Sequence, residues 1–258
     1  MDMKSTGLKI WAVVTFIVMI TANALANILP INNITTGELS DYYANLFAPA
    51  GYTFSIWGII YLLLFIYVIY QFFVRSSYEK IISKINIYFI ISSLANTAWI
   101  FAWHYQQIFL SLLLMIVILY CLIKIADVLR KEKFSMLESL GLSAPFFVYF
   151  GWITVATIAN VVVFLVSINW DGFGIEAGIW TMVVLLVGAI IGIARSLYDK
   201  KVAYTLVLIW AYIGILSKHT STTGFGSVYP IVIYTLYICL FSFLVTTMYV
   251  LVKPAIKK

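Results

Sequence analysis

The stretch FAPAGYTFSIWGIIYLLL, Phe47 to Leu64, decides the fold. It turns a corner at Pro49 and Gly51 and enters an apolar run with no charged side chain. The run extends over 52–74. At a rise of about 1.5 Å per residue, roughly 20 apolar residues cross a hydrocarbon layer about 30 Å thick. The run is therefore a membrane span. It also places Trp57 and Tyr61 four residues apart, on one helix face.

The rest of the chain has the same character. Of 258 residues, 64% are hydrophobic and 10% charged, against about 25% charged in an ordinary soluble domain. Apolar runs at 10–29, 52–74, 85–103, 107–126, 143–167, 177–195, 202–217 and 230–252 predict an all-α integral membrane protein of eight spans. The first run is longer than a signal-peptide core, which predicts a retained helix.

An even number of spans puts both termini on one side. All the Lys and Arg residues except Lys218 then fall on that side, from Lys4 and Lys9 to Lys257 and Lys258. By the positive-inside rule both termini are expected in the cytoplasm, with the spans in an inner or plasma membrane. The net charge of +6 is thus an orientation signal. With no basic-aromatic patch, nucleic acid is not an expected partner. Cys121 and Cys239 lie inside apolar runs and show no metal spacing. Ionisable residues are missing from mid-span positions, which argues against an ion-driven pump.

The spans instead carry Trp, Tyr and Asn in register. Asn96 and Trp99 are three apart, with Trp103 one turn on; Trp152, Ala156 and Asn160 repeat every fourth residue. A buried Asn needs a hydrogen-bond partner, and an isolated one serves as interhelical glue. Recurring Asn–Trp faces beside a Trp–Tyr face frame a flat aromatic guest equally well. The polar first loop, about 30–51, reads as a lid or as a plain connector. His104 and His219 share no motif and are expected as polar loop residues, not haem ligands.

Three stretches together resemble the TspO/MBR family, the tryptophan-rich sensory proteins related to the translocator protein. They are Pro49-Ala50-Gly51-Tyr52-Thr53-Phe54-Ser55-Ile56-Trp57 with Tyr61, Leu94-Ala95-Asn96-Thr97-Ala98-Trp99, and Trp152 through Ala156 to Asn160. The resemblance covers roughly 8–168. It implies a five-helix unit over 1–168, with three additional transmembrane helices over 169–258. It also implies a pocket below the first loop, lined by Pro49, Trp57, Tyr61, Asn96, Trp99, Trp152, Ala156 and Asn160. Tyr52 stands where the family usually has Trp.

The function this implies is membrane ligand binding or sensing of planar hydrophobic molecules, tetrapyrroles of the porphyrin or haem type above all. No cofactor is required; a porphyrin or haem is the candidate bound ligand. A transporter of a hydrophobic metabolite and tryptophan-dependent photo-oxidative porphyrin degradation are the alternatives. The lack of a nucleophile–base pair, paired carboxylates or a metal cluster speaks against an enzyme. Membrane lipid is a second partner, and a homodimer a third. The GxxxG step Gly188–Gly192 serves either that dimer or the docking of the extra helices.

Overall fold

The structure, a computed structural model, describes residues 3–29 and 31–252, with the side chains from residue 5 onward. Of the charges that set the expected orientation, Lys253, Lys257, Lys258 and the Lys4 side chain lie outside the described residues. Eight long helices follow one another: α1 Met3–Ile28, α2 Ile56–Tyr70, α3 Glu79–His104, α4 Ile108–Leu129, α5 Ala144–Ser167, α6 Ala177–Asp199, α7 Val202–Thr220 and α8 Pro230–Val252. Each belongs to a helical stretch long and apolar enough to cross a membrane. The described residues contain no strand. The protein is an all-α integral membrane protein.

Several helices outrun their apolar stretches. α3 begins at Glu79, not near 85, and α6 runs to Asp199, not 195. Hydropathy measures the hydrocarbon crossing, whereas a helix continues into the headgroup layer until a cap stops it. Lys200, left-handed at φ 55°, ends α6. The helical approach to α5 starts early, where Ser135 and Glu138 form a capping box.

Within the spans, several hydroxyls are satisfied locally. Those of Thr15, Thr97, Thr154, Thr157 and Thr235 each donate to the carbonyl four residues back. Such a bond avoids the cost of an unpaired hydroxyl in an apolar medium. Large apolar side chains such as Ile238, Phe241 and Ile190 remain exposed, a surface suited to lipid and not to water.

α3 packs along α1 and α4, and α5 packs against α2 and α4. α8 holds α6 and α7 together, and α7 packs on α5. The GxxxG step is spent inside the chain. A Cβ on Gly188 would meet the Tyr212 hydroxyl at 2.7 Å, and Gly192 faces Leu208 and Phe243.

The end where α1 starts is the basic end. There Lys9, 1% exposed, holds Glu79 at 2.7 Å and ties α1 to α3. Arg195 bridges Asp127 at 3.0 Å and Asp199 at 2.6 Å, tying α6 to α4. Removing one member of so buried a pair leaves an uncompensated charge.

Candidate functional site

The first loop is folded and sits over the opposite end of the bundle. Thr35 caps a short loop helix, Thr36–Tyr42, in a reciprocal box: the Thr35 N–H donates to Glu38 Oε2 at 2.8 Å, and Glu38 N–H donates back to Thr35 Oγ1. The bond from the Thr35 backbone, followed by the one from its hydroxyl, holds the Glu38 carboxyl below its ordinary value. Leu39 and Phe47 are buried, and the Trp103 indole N–H donates to the Thr36 carbonyl at 3.3 Å. The loop is therefore a roof.

Under it lies a cavity of about 60 Å³. Trp57 from α2, Trp99 and Trp103 from α3, and Trp152, Ala156 and Asn160 from α5 line it, with Pro49 and Phe47 from the loop above. A second chamber of about 220 Å³, bordered by Asn23, Asn27 and Tyr61, adjoins it. Thr36, Phe54, Trp57 and Trp99 line both.

The aromatic rings tile the wall. Trp57 stacks on Tyr61 with centroids 5.4 Å apart and meets Trp152 edge-on at 6.2 Å. Trp99 stacks on Trp103 at 5.8 Å. These are the separations that favour aromatic pairs. Two wall donors have no partner: the buried indole N–H groups of Trp99 and Trp152. The Thr36 hydroxyl in the roof is likewise unpaired. A buried donor left unmet costs about 1–3 kcal/mol, so each is a place where a bound acceptor would relieve strain.

The structure brings Pro49, Trp57, Tyr61, Trp99, Trp152, Ala156 and Asn160 to these two chambers. Asn96 is not among the lining residues. It is fully buried behind the wall, accepting from Asn23 Nδ2 at 2.7 Å and donating to the Tyr149 hydroxyl at 3.0 Å. Tyr149 in turn supports the Trp57 ring at 5.9 Å. Asn160 accepts from the Ser111 hydroxyl at 3.1 Å while lining the cavity.

Gly51 and Tyr52 lie outside the cavity lining, and the two histidines depart from expectation. Gly51 takes no unusual φ, and a Cβ there would meet nothing within 4 Å. A close backbone approach occurs at Gly214 on α7, where any Cβ would collide with Thr53; Ala50 N–H donates to the Gly214 carbonyl at 3.0 Å. Tyr52 packs edge-on against Trp210 of α7 at 5.6 Å, away from the cavity. His104 and His219 are buried helix-end residues, not solvated loop residues. His104 Nδ1 bonds the Ile100 carbonyl, and His219 Nε2 bonds the Leu46 carbonyl, both at 2.8 Å.

Phe54, Phe47, Thr36 and Ser40 were not foreseen as lining residues. The roof helix had a signal: Thr35-Thr36-Gly37-Glu38 is a capping-box sequence. The toward-cavity direction of Phe54 had none.

The chain matches the family model described as TSPO-like protein over residues 9–249, a stretch that includes most of all eight helices. No curated protein and no solved structure matches it.

Proposed function

The chain belongs to the TSPO-like protein family, and from that premise we propose that it binds a planar, hydrophobic, acceptor-bearing molecule beneath the first loop, a tetrapyrrole of the porphyrin type best fitting the description. In this reading 1–168 is the ligand-binding unit, and the three helices within 169–258 buttress it through α7. The termini lie on the cytoplasmic side and the roof faces outward. The observation that carries it is the pair of unpartnered indole donors, Trp99 and Trp152, in a wall otherwise made of ring faces. Ring faces stack a flat guest, and the donors await its carboxylate or carbonyl oxygens.

The chambers as they stand are smaller than the roughly 300–1,000 Å³ of small-molecule sites. Entry therefore requires Trp57 and Phe54 to swing and merge them under a lifted roof. Toward the basic end the bundle is filled. Tyr67 donates to Asn86 at 2.6 Å, Asn86 donates to Gln71 at 2.8 Å, and Phe89 and Phe146 pack beside them. A blind pocket supports sensing or storage over passage.

Titration of the purified protein with protoporphyrin, followed by tryptophan quenching and the Soret band, tests the proposal. Saturable one-to-one binding that weakens in Trp99→Phe and Trp152→Phe is expected. Unaltered affinity in the double variant would remove the proposed site.

A further inference from the structure

α5 faces two different spaces. Trp152, Ala156 and Asn160 look into the tryptophan cavity; Val162, Leu165 and Val166, turned to an adjacent face nearer the end of the helix, line a larger cavity of about 510 Å³. Its remaining walls come from Phe47 in the first loop, Trp180, Thr181 and Val184 at the start of α6, and Phe225 and Tyr229 before α8. The space exists because α5 and α6 diverge: α6 packs on α8 and touches α5 only lightly. Its volume falls within the range of small-molecule sites.

The mouth is held by a strained loop. Gly172, Phe173 and Gly174 all have left-handed backbone, at φ 65°, 55° and 72°, a conformation unfavourable for phenylalanine. Asp171 Oδ1 accepts the Phe173 N–H at 2.9 Å. The Trp180 indole donates to the Gly172 carbonyl at 2.7 Å, and the Trp170 ring lies 5.0 Å from that of Trp180. The loop thus fixes two indoles beside a carboxylate.

The chemistry here differs from that of the tryptophan cavity. Asp171 is the one charged residue in the lining, and no Lys or Arg lines it. The nearby Lys218 is engaged with Asp41. Two of the polar groups are engaged: Thr181 donates to the Ala177 carbonyl at 2.8 Å, and the Trp180 indole is used in the loop. The run of Val162, Leu165, Val166 and Val184 suits a hydrocarbon chain. A carboxylate among ring faces suits a cation. An anionic head would meet Asp171 and find nothing to neutralise it.

We propose that this cavity is a second ligand site, separate from the tryptophan cavity, which takes an amphiphile with a hydrocarbon chain and a quaternary-ammonium or amine head. The chain lies between α5 and α6, and the head sits against Asp171, Trp170 and Trp180.

Three probes share one dansyl-tagged undecyl chain and differ in the head: trimethylammonium, hydroxyl or sulfonate. Energy transfer from tryptophan to dansyl in uncharged maltoside micelles reads their binding to the full chain. The expected order is ammonium, hydroxyl, sulfonate. Asp171→Asn keeps the acceptor for Phe173 N–H, and should weaken the ammonium probe about tenfold while sparing the hydroxyl one. Val184→Trp fills the cavity and should displace all three; Val166→Phe plugs it from the opposite wall if the first variant fails to elute as a monodisperse helical species. Trp57→Ala should change none of them. Equal binding of sulfonate and ammonium, or undiminished binding in a folded plugged variant, overturns the proposal. Loss of the probes in Trp57→Ala also overturns it, by moving them to the tryptophan cavity, and leaves the porphyrin reading untouched.

Discussion

The two cavities share α5 and Phe47 and otherwise differ in every respect that matters for binding. The tryptophan cavity is small, tiled by aromatic rings, and leaves two indole N–H groups without partners. The cavity between α5 and α6 is several times larger, is walled by aliphatic side chains along both helices, and has its Trp180 indole and Thr181 hydroxyl already engaged. Volume alone ranks the second above the first; unsatisfied chemistry ranks them the other way. A space kept by divergent helices costs only lost dispersion contacts. A buried donor without an acceptor costs more, about 1–3 kcal/mol, which an acceptor from outside the chain would recover.

Reciprocal plugs break the comparison most decisively. Ala156→Trp fills the tryptophan cavity and should abolish protoporphyrin quenching within the accessible range, a loss of at least about a hundredfold, equal to roughly 3 kcal/mol. The ammonium probe should bind that variant as before. Val184→Trp should give the opposite pattern. Loss of both ligands in both variants, with helical content intact, would mean one continuous site.

Removing the spare donors sharpens the contrast. Trp99→Phe and Trp152→Phe should each weaken protoporphyrin by about five- to tenfold, the usual net worth of one hydrogen bond. Thermal stability should hold nearly level, since no existing bond is broken. Asn96→Ala should do the reverse. It breaks the chain Asn23–Asn96–Tyr149 and should lower the thermal midpoint in micelles by several degrees, for a cost of about 1–3 kcal/mol. Its effect on protoporphyrin should be smaller than that of either indole, because Asn96 acts only through Tyr149 and Trp57. A binding defect in Asn96→Ala larger than in Trp99→Phe would place the amide against the ligand after all.

How each region could be read in the sequence follows from its chemistry. Eight spans were legible because crossing hydrocarbon demands about 20 apolar residues each. The tryptophan wall was legible because Trp57/Tyr61 and Trp152/Ala156/Asn160 repeat at helical spacing. Asn96 sits on the same helix as Trp99, but spacing cannot say whether an amide faces a void or a neighbouring amide; Asn23 on α1 decides that. The α5–α6 cavity left no local signal. Val162, Val184 and Phe225 are ordinary apolar residues, brought together by the angle between helices. Gly214 was silent for the same reason: its constraint is Thr53, about 160 residues away in sequence.

The smallest expected effect concerns the short loop helix Thr36–Tyr42, which lines the tryptophan side and not the second cavity. Glu38 is held below its ordinary value of 4.5 by the Thr35 N–H and hydroxyl. A carboxyl with a depressed folded value stabilises above its unfolded value and loses that contribution as pH falls through the folded one. The capping box is therefore intact at neutral pH and opens as pH falls through the folded value, which lies below 4.5, where Glu38 takes up a proton. Amide protection over residues 36–39, corrected for intrinsic exchange, should fall in that window. Thr35→Val lacks the hydroxyl and should show weaker protection at neutral pH and a flatter profile. The Trp180 indole N–H should keep its protection throughout, because its bond to the Gly172 carbonyl joins two groups that do not titrate. A parallel loss at both places would show a roof that moves with the whole loop end of the bundle, and the independence of the two cavities would go with it.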